Sequence, residues 1–228
     1  MPAAEAISSA NIVFTERKTI CLTVNRMGEV VIRAPIGTSL EKIEAFAAKN
    51  EAWLLGKVAE QQQRMLQCKK LQGTEGESFL FLGRDTTIET IGQCSGTAKL
   101  RAGKALLPPS PKPLAALVSL VKSEAAGLLE KRLKDMGKRC GLPYKGFRVS
   151  WAKRRWGSCS ASNVINLSWR LAMCPQELID YVIVHELCHT IHKDHSAAFW
   201  REVNSRLPNA TELRKQLVNY EFVMEYFD

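Results

Sequence analysis

The sequence predicts an α+β fold. A small N-terminal α+β region comes first, then a domain with a short sheet, a long backing helix and a second, buried helix. Three observations point to it. Short β-rich runs at 19–24, 30–33, 78–82 and 86–91 read as strands. Four prolines in the six positions 108–113 can continue neither a ladder nor a helix. Beyond them the apolar pattern lengthens to a helical period over 113–139 and 178–191. The expected division is therefore 1–107, a linker at 108–113, and 114–228.

Thr19–Val24 and Val30–Arg33 are separated by Asn25-Arg26-Met27-Gly28, a hairpin-like turn, and Pro35 closes the second run. Ser39 is placed to cap a helix that turns Ile43, Phe46 and Ala47 inward. Asn50 opens another, with Trp53, Leu54 and Val58 on one face. Strands resume at Ser78–Leu82, Thr86–Ile91 and Ala98–Leu100. After the prolines, Leu117, Leu120, Val121, Leu128 and Leu129 give the long helix its apolar stripe, and Gly141-Leu142-Pro143 stops it. Its other face carries Lys131, Arg132, Lys134 and Lys138. Phe147–Trp151 and Val164–Leu171 read as strands flanking Trp156-Gly157-Ser158-Cys159-Ser160. Pro175 suits the first turn of the next helix, which is apolar nearly all round through Ile179, Val182, Ile183, Val184 and Leu187, and so is buried. Asp194 or Ser196 caps a helix from Ala197 to Leu207. Asn209–Phe227 reads as helical, with Phe222 and Tyr226 packing back.

The chain has 228 residues, 46% apolar and 24% charged, enough for a proper core and ordinary for a soluble globular protein. No apolar run is long enough to span a bilayer. The first residues lack a basic segment followed by an apolar one, and the seven cysteines contain no CxxC pair. Both features suit a reducing cytoplasm. The formal charge of +9 is uneven: residues 101–155 hold 14 Lys and Arg against 3 Asp and Glu, a net +11. A solvated helix face explains this, and so does an electrostatic footprint for nonspecific nucleic-acid contact.

All four histidines fall in His185-Glu186-Leu187-Cys188-His189 and the residues after it, through His192 to His195. Positions i and i+4 of a helix share a face, so His185 and His189 can aim two imidazoles at one ion. Tetrahedral zinc accepts such a pair and leaves two positions to fill. Glu186 can reach a water there without ligating, the general-base arrangement of HExxH zinc peptidases. His192 lies two turns beyond His185, about 10 Å along an unbroken helix. A turn at Lys193-Asp194 would instead bring His195 under the metal. His195 is the favoured third ligand and Glu202 its rival. Cys188, inside the motif, reads as a small core filler.

Arg155-Trp156-Gly157-Ser158-Cys159-Ser160, Asn166-Leu167-Ser168-Trp169-Arg170-Leu171, Asp180-Tyr181-Val182 through His189, and His195-Ser196-Ala197-Ala198-Phe199-Trp200 together resemble the YgjP-like metallopeptidase family. Ile32-Arg33-Ala34-Pro35 and Trp53 extend the resemblance towards the N-terminus. The SprT-like and WLM zinc peptidases are looser relatives. The metzincins differ, with Gly where this chain has His192. The resemblance implies a zincin-like domain, one Zn2+ on His185, His189 and His195, and a catalytic Glu186.

The expected function is hydrolysis of peptide bonds in a protein or peptide substrate. A non-peptide amidohydrolase and a zinc-stabilised nucleic-acid- or protein-binding module are the alternatives. Trp156, Gly157, Ser158 and Cys159 are candidates for binding substrate, by backbone pairing to an extended peptide or as a strand and turn packed on the zinc helix. His192, Tyr181 and Tyr220 are candidates by type for stabilising an oxyanion.

Overall fold

The computed structural model describes residues 10–24, 28–67, 70–92 and 96–227, and the backbone alone for 61–67. The expected turn residues Asn25, Arg26 and Met27 lie outside them, as do Cys68 and Cys94. The fold is mixed α+β, with three small sheets and six α-helices among the described residues. It forms two compact units, Met1–Lys69 and Lys70–Asp228.

In the first unit, β1 (Asn11–Thr15) pairs parallel with β3 (Val30–Pro35), and β2 (Cys21–Val24) pairs antiparallel with β3 on its other side. Helices α1 (Leu40–Lys49) and α2 (Glu51–Gln67) come next. Their core is Leu22, Val30, Ile32, Ala34, Ile43, Ala47 and Leu54, the alternating strand positions and the inward helix faces. Trp53, expected to share a face with Leu54, is 47% exposed; neighbours in sequence sit about 100° apart on a helix, and Leu54 takes the buried side.

The second unit opens with a four-stranded sheet of order β4-β5-β7-β6: β4 (Ser78–Phe81), β5 (Arg84–Thr90), β6 (Lys99–Arg101) and β7 (Lys104–Leu107). The sequence pattern did not predict β7. Its hairpin with β6 turns at Ala102 and Gly103, both at positive φ, as a tight two-residue hairpin turn requires. The proline-rich stretch 108–113 joins β7 to α3 (Pro113–Cys140) within this unit. The sheet is tied to the segment before the buried helix: Leu82 and Gly83 donate backbone N–H bonds to Ala172 and Met173. A Cβ at Gly83 would lie 2.7 Å from Pro175.

Another sheet, β8 (Gly146–Ser150), β9 (Gly157–Cys159) and β10 (Val164–Ser168), has β10 at its centre, parallel to β8 and antiparallel to β9. The strand expected over 164–171 stops at Ser168, and Trp169–Met173 is a short 3-10 turn. Helix α4 (Gln176–Cys188) has Leu178, Ile179, Val182, Ile183, Val184 and Leu187 all buried, as an apolar circumference demands. It packs on α3 through Leu129, Leu133 and Met136. Arg132, expected on an exposed basic face, instead makes two hydrogen bonds to the Asp180 carboxylate and ties α3 to α4; its Nε lies 2.9 Å from Oδ1. Helices α5 (Ala197–Arg206) and α6 (Ala210–Val218) and a short turn at Glu221–Met224 complete the unit.

Candidate metal centre

Helix α4 ends at Cys188, sooner than the apolar pattern suggests. The Thr190 hydroxyl bonds the Leu187 carbonyl at 2.7 Å, and the chain turns through 189–192. Lys193 then reaches the β9–β10 hairpin, bonding the Ser160 carbonyl at 3.1 Å and Asn163 Oδ1 at 2.5 Å. Asn163 itself turns that hairpin at φ 60°, a conformation Asn tolerates. Asp194 Oδ1 accepts from the Ser196 N–H, and Ser196 caps α5 by accepting from the Phe199 N–H. These fixed turns bring His195 back towards α4.

The result is a cluster of His185, His189 and His195. His195 Nε2 lies 3.1 Å from His185 Nε2 and 3.2 Å from His189 Nε2. Ligands about 2.0–2.1 Å from a tetrahedral ion stand roughly 3.3 Å apart, so the spacing fits one zinc-sized cation. Protons alone do not account for it. His189 Nδ1 lies 2.8 Å from the His192 carbonyl, which makes it the protonated nitrogen and turns a lone pair at Nε2 into the cluster. A single proton on His195 Nε2 can serve only one of its two neighbours. Burial, with His189, His195 and Arg214 adding to it, pushes His185 down to about 3, so its imidazole is neutral, the state a metal ligand needs. Among the described residues the buried His185 Nδ1 has no hydrogen-bond partner, unlike its counterpart on His189. Phe199 stacks on His189 with ring centroids 4.4 Å apart, and Trp200 lies 5.7 Å from His185.

Glu186 is buried beside the cluster at 6% exposure. Burial pushes its carboxyl up to about 7, against the opposing pull of Arg155 and a hydrogen bond from the Cys159 backbone N–H. The carboxyl lies against Gly157, where an added Cβ would sit 2.7 Å from Glu186 Cγ and 2.8 Å from Oε1. Trp156 and Ser160 direct their backbone groups at β10, with bonds of 2.8 Å to Ser168 and 2.9 Å to Val164. By alternation Gly157 and Cys159 face away from it, which is why the Cys159 N–H meets Glu186. A cleft of about 310 Å³ opens here, lined by Trp156, Gly157, Tyr181, His185 and Glu186 among others.

The remaining candidates scatter. Glu202 is not in the cluster; Arg206 binds its carboxylate at 2.7 and 3.0 Å. Cys188 is fully buried in the core, its thiol pushed up to about 12 chiefly by burial. Ser158 is engaged by the Asn166 side chain at 3.3 and 3.4 Å. Of the three oxyanion candidates only Tyr181 lines the cleft, one turn before His185 on the same face. Tyr220 packs against the core, and the His192 carbonyl serves His189. Sequence reasoning gave Arg155, quoted only as the start of a family-like block, and Arg214 no role, yet both line the cleft. Arg155 directly precedes the Trp156–Ser160 block and had that signal; Arg214, on α6, had none.

Two helical imidazoles, a third beyond a turn and a carboxyl between them form the side-chain set of the HExxH metallopeptidases. The chain belongs to the YgjP-like metallopeptidase family: the description "YgjP-like, metallopeptidase domain" matches residues 18–220. No curated protein matches it. Among solved structures it is similar to the metallopeptidase zymogen of Pyrococcus abyssi abylysin, at 24% identity and a TM-score of 0.36, over 40% of this chain and 91% of that one. It is also similar to the metallopeptidase zymogen of Methanocaldococcus jannaschii jannalysin, at 17% identity and a TM-score of 0.34, over 40% and 93%. Among the described residues no helix is long and apolar enough to cross a membrane.

Proposed function

We propose that the chain is a zinc-dependent peptidase with a zincin-like second unit. One zinc is held by His185, His189 and His195, and Glu186 is the general base. The observation that carries this is the convergence of three imidazole nitrogens next to a buried carboxyl that opens on a cleft. Bound there, zinc supplies Lewis acidity towards a carbonyl oxygen and towards water. Glu186 takes a proton from the attacking water on its carboxylate and delivers it to the departing amine nitrogen. The Cys159 N–H orients that carboxylate, and Gly157 gives it room. The outward backbone groups of β9 other than the Cys159 N–H, those of Gly157 and the Cys159 carbonyl, offer an extended peptide an edge to pair with. Tyr181, at the cleft wall, is the best-placed hydroxyl for the developing oxyanion.

The test is digestion of a peptide library by the zinc-loaded chain with mass-spectrometric reading of new ends. Cleavage should vanish on chelation and return with zinc. A metal-loaded, folded chain that yields no new ends would sink the proposal. A non-peptide amide would then be the next substrate class to assay.

One observation favours nucleic-acid contact through residues 101–155 as a second reading. Trp151 is 69% exposed, with Lys122 Nζ 3.2 Å from its ring centroid, and exposed Lys153 and Arg154 follow just beyond Ala152. A cation-backed aromatic platform beside basic side chains suits stacked bases. Retention on nonspecific single-stranded DNA should fall steeply with salt and weaken in Trp151→Ala; no retention at low salt rules it out.

A further inference from the structure

The cleft beside the imidazole cluster carries two guanidinium groups that neither join the imidazole cluster nor carry the transferred proton. Arg155 arrives from the segment leading into β9 and Arg214 from α6, and both line the same space as His185 and Glu186. Arg214 is held in place: its Cζ lies 4.9 Å from the Trp200 ring centroid, and that ring lies 5.7 Å from His185. Aromatic stacking fixes a cation's position without using its hydrogen-bond donors. Arg155 stands two residues before Gly157, the backbone that touches Glu186. The lining also includes Val182, Leu217 and Val218, which leave polar recognition to a few side chains. Glu221 is a further acid on the lining and can offset one guanidinium at most.

Guanidinium forks match carboxylates in a bidentate way, with two parallel N–H···O bonds. Resting on the peptidase reading, we propose that Arg155 and Arg214 bind a carboxylate of the substrate, so that the cleft selects peptides with an acidic group close to the scissile bond. The carboxylate is that of an Asp or Glu side chain or of a free C-terminus. The first gives internal cleavage beside acidic residues, the second removal of C-terminal residues.

The test starts from peptides that the zinc-loaded full chain cleaves, or that the Glu186→Gln chain retains, in a mixed library. One such peptide is remade with its acidic residue as Glu, Gln or Lys, each with a free or amidated C-terminus. Cleavage is measured on the wild type and affinity, by fluorescence anisotropy, on Glu186→Gln. Replacing the acid by Lys, or amidating the terminus, should lower kcat/KM and raise Kd at least tenfold; which change does so identifies the source. Arg155→Glu and Arg214→Glu should shift the preference towards the Lys peptide, while Arg→Lys variants keep its sign. A ratio between two peptides on one variant holds even if part of that variant is misfolded. Equal handling of all versions within twofold, or a preference untouched by both charge reversals, overturns the assignment. Cleavage without preference rejects the carboxylate site and leaves the peptidase reading standing. Preferential binding without cleavage does the reverse.

Discussion

Glu186→Gln should abolish peptide hydrolysis, with kcat/KM falling by about 10³-fold, while zinc content and folding stay as in the wild type. Gln keeps the shape and still offers an oxygen to the Cys159 N–H, but it cannot take a proton. The variant also brings a neutral group into a site of 6% exposure, where the wild type must ionise a carboxyl that burial pushes up to about 7. That raised value means the native state holds its proton more tightly than the unfolded chain. The Glu186 contribution to stability therefore declines as pH rises from the ordinary carboxylate range towards 7, and the variant lacks this slope. In the wild type the acid limb of kcat/KM should fall at about 7 or lower, since a bound cation draws the carboxyl down. Paired metal analysis and kinetics read the result. Full hydrolysis by the variant would remove Glu186 from the chemistry.

Gly157→Ala should cost about 10²-fold in kcat/KM with zinc still bound. The new methyl would lie 2.7 Å from Glu186 Cγ and 2.8 Å from Oε1, closer than carbon atoms tolerate, so the carboxyl must move away from the Cys159 N–H. A displacement on the order of 1 Å is enough to lose that much alignment. Strain of about 1–3 kcal/mol would accompany it, readable as a modest fall in Tm. Unchanged kcat/KM would show that the contact between β9 and Glu186 does not position the base.

Much of the imidazole cluster could be read from local sequence because its geometry is local. His185 and His189 are one helical turn apart, and the turn that returns His195 is written in Lys193, Asp194 and Ser196, each of which makes a side-chain bond that holds it. The buried α4 was equally plain from its apolar circumference. What escaped was tertiary. Arg214 reaches the cleft from a helix whose sequence gives no hint of its neighbour, and Arg132 reads as one more surface cation until Asp180 is seen across from it. The run 164–171 could not announce that Ser168 ends the strand, because apolar residues go on alternating at Ile165, Leu167, Trp169 and Leu171 through the buried 3-10 turn. The hairpin at Ala102-Gly103 lacks an Asn or Asp at its first position and so gave a weak turn signal. The prolines at 108–113 do break the local structure, yet the compact units divide at Lys69–Lys70, where no Pro or Gly marks the chain.

Whether three side chains share one ion is tested most directly by elemental analysis of the purified chain. Wild type and Glu202→Ala should each carry about one zinc per chain, and His195→Ala should lose most of it. A wild-type chain that folds with no transition metal, or metal lost from Glu202→Ala but kept by His195→Ala, would contradict a three-histidine centre.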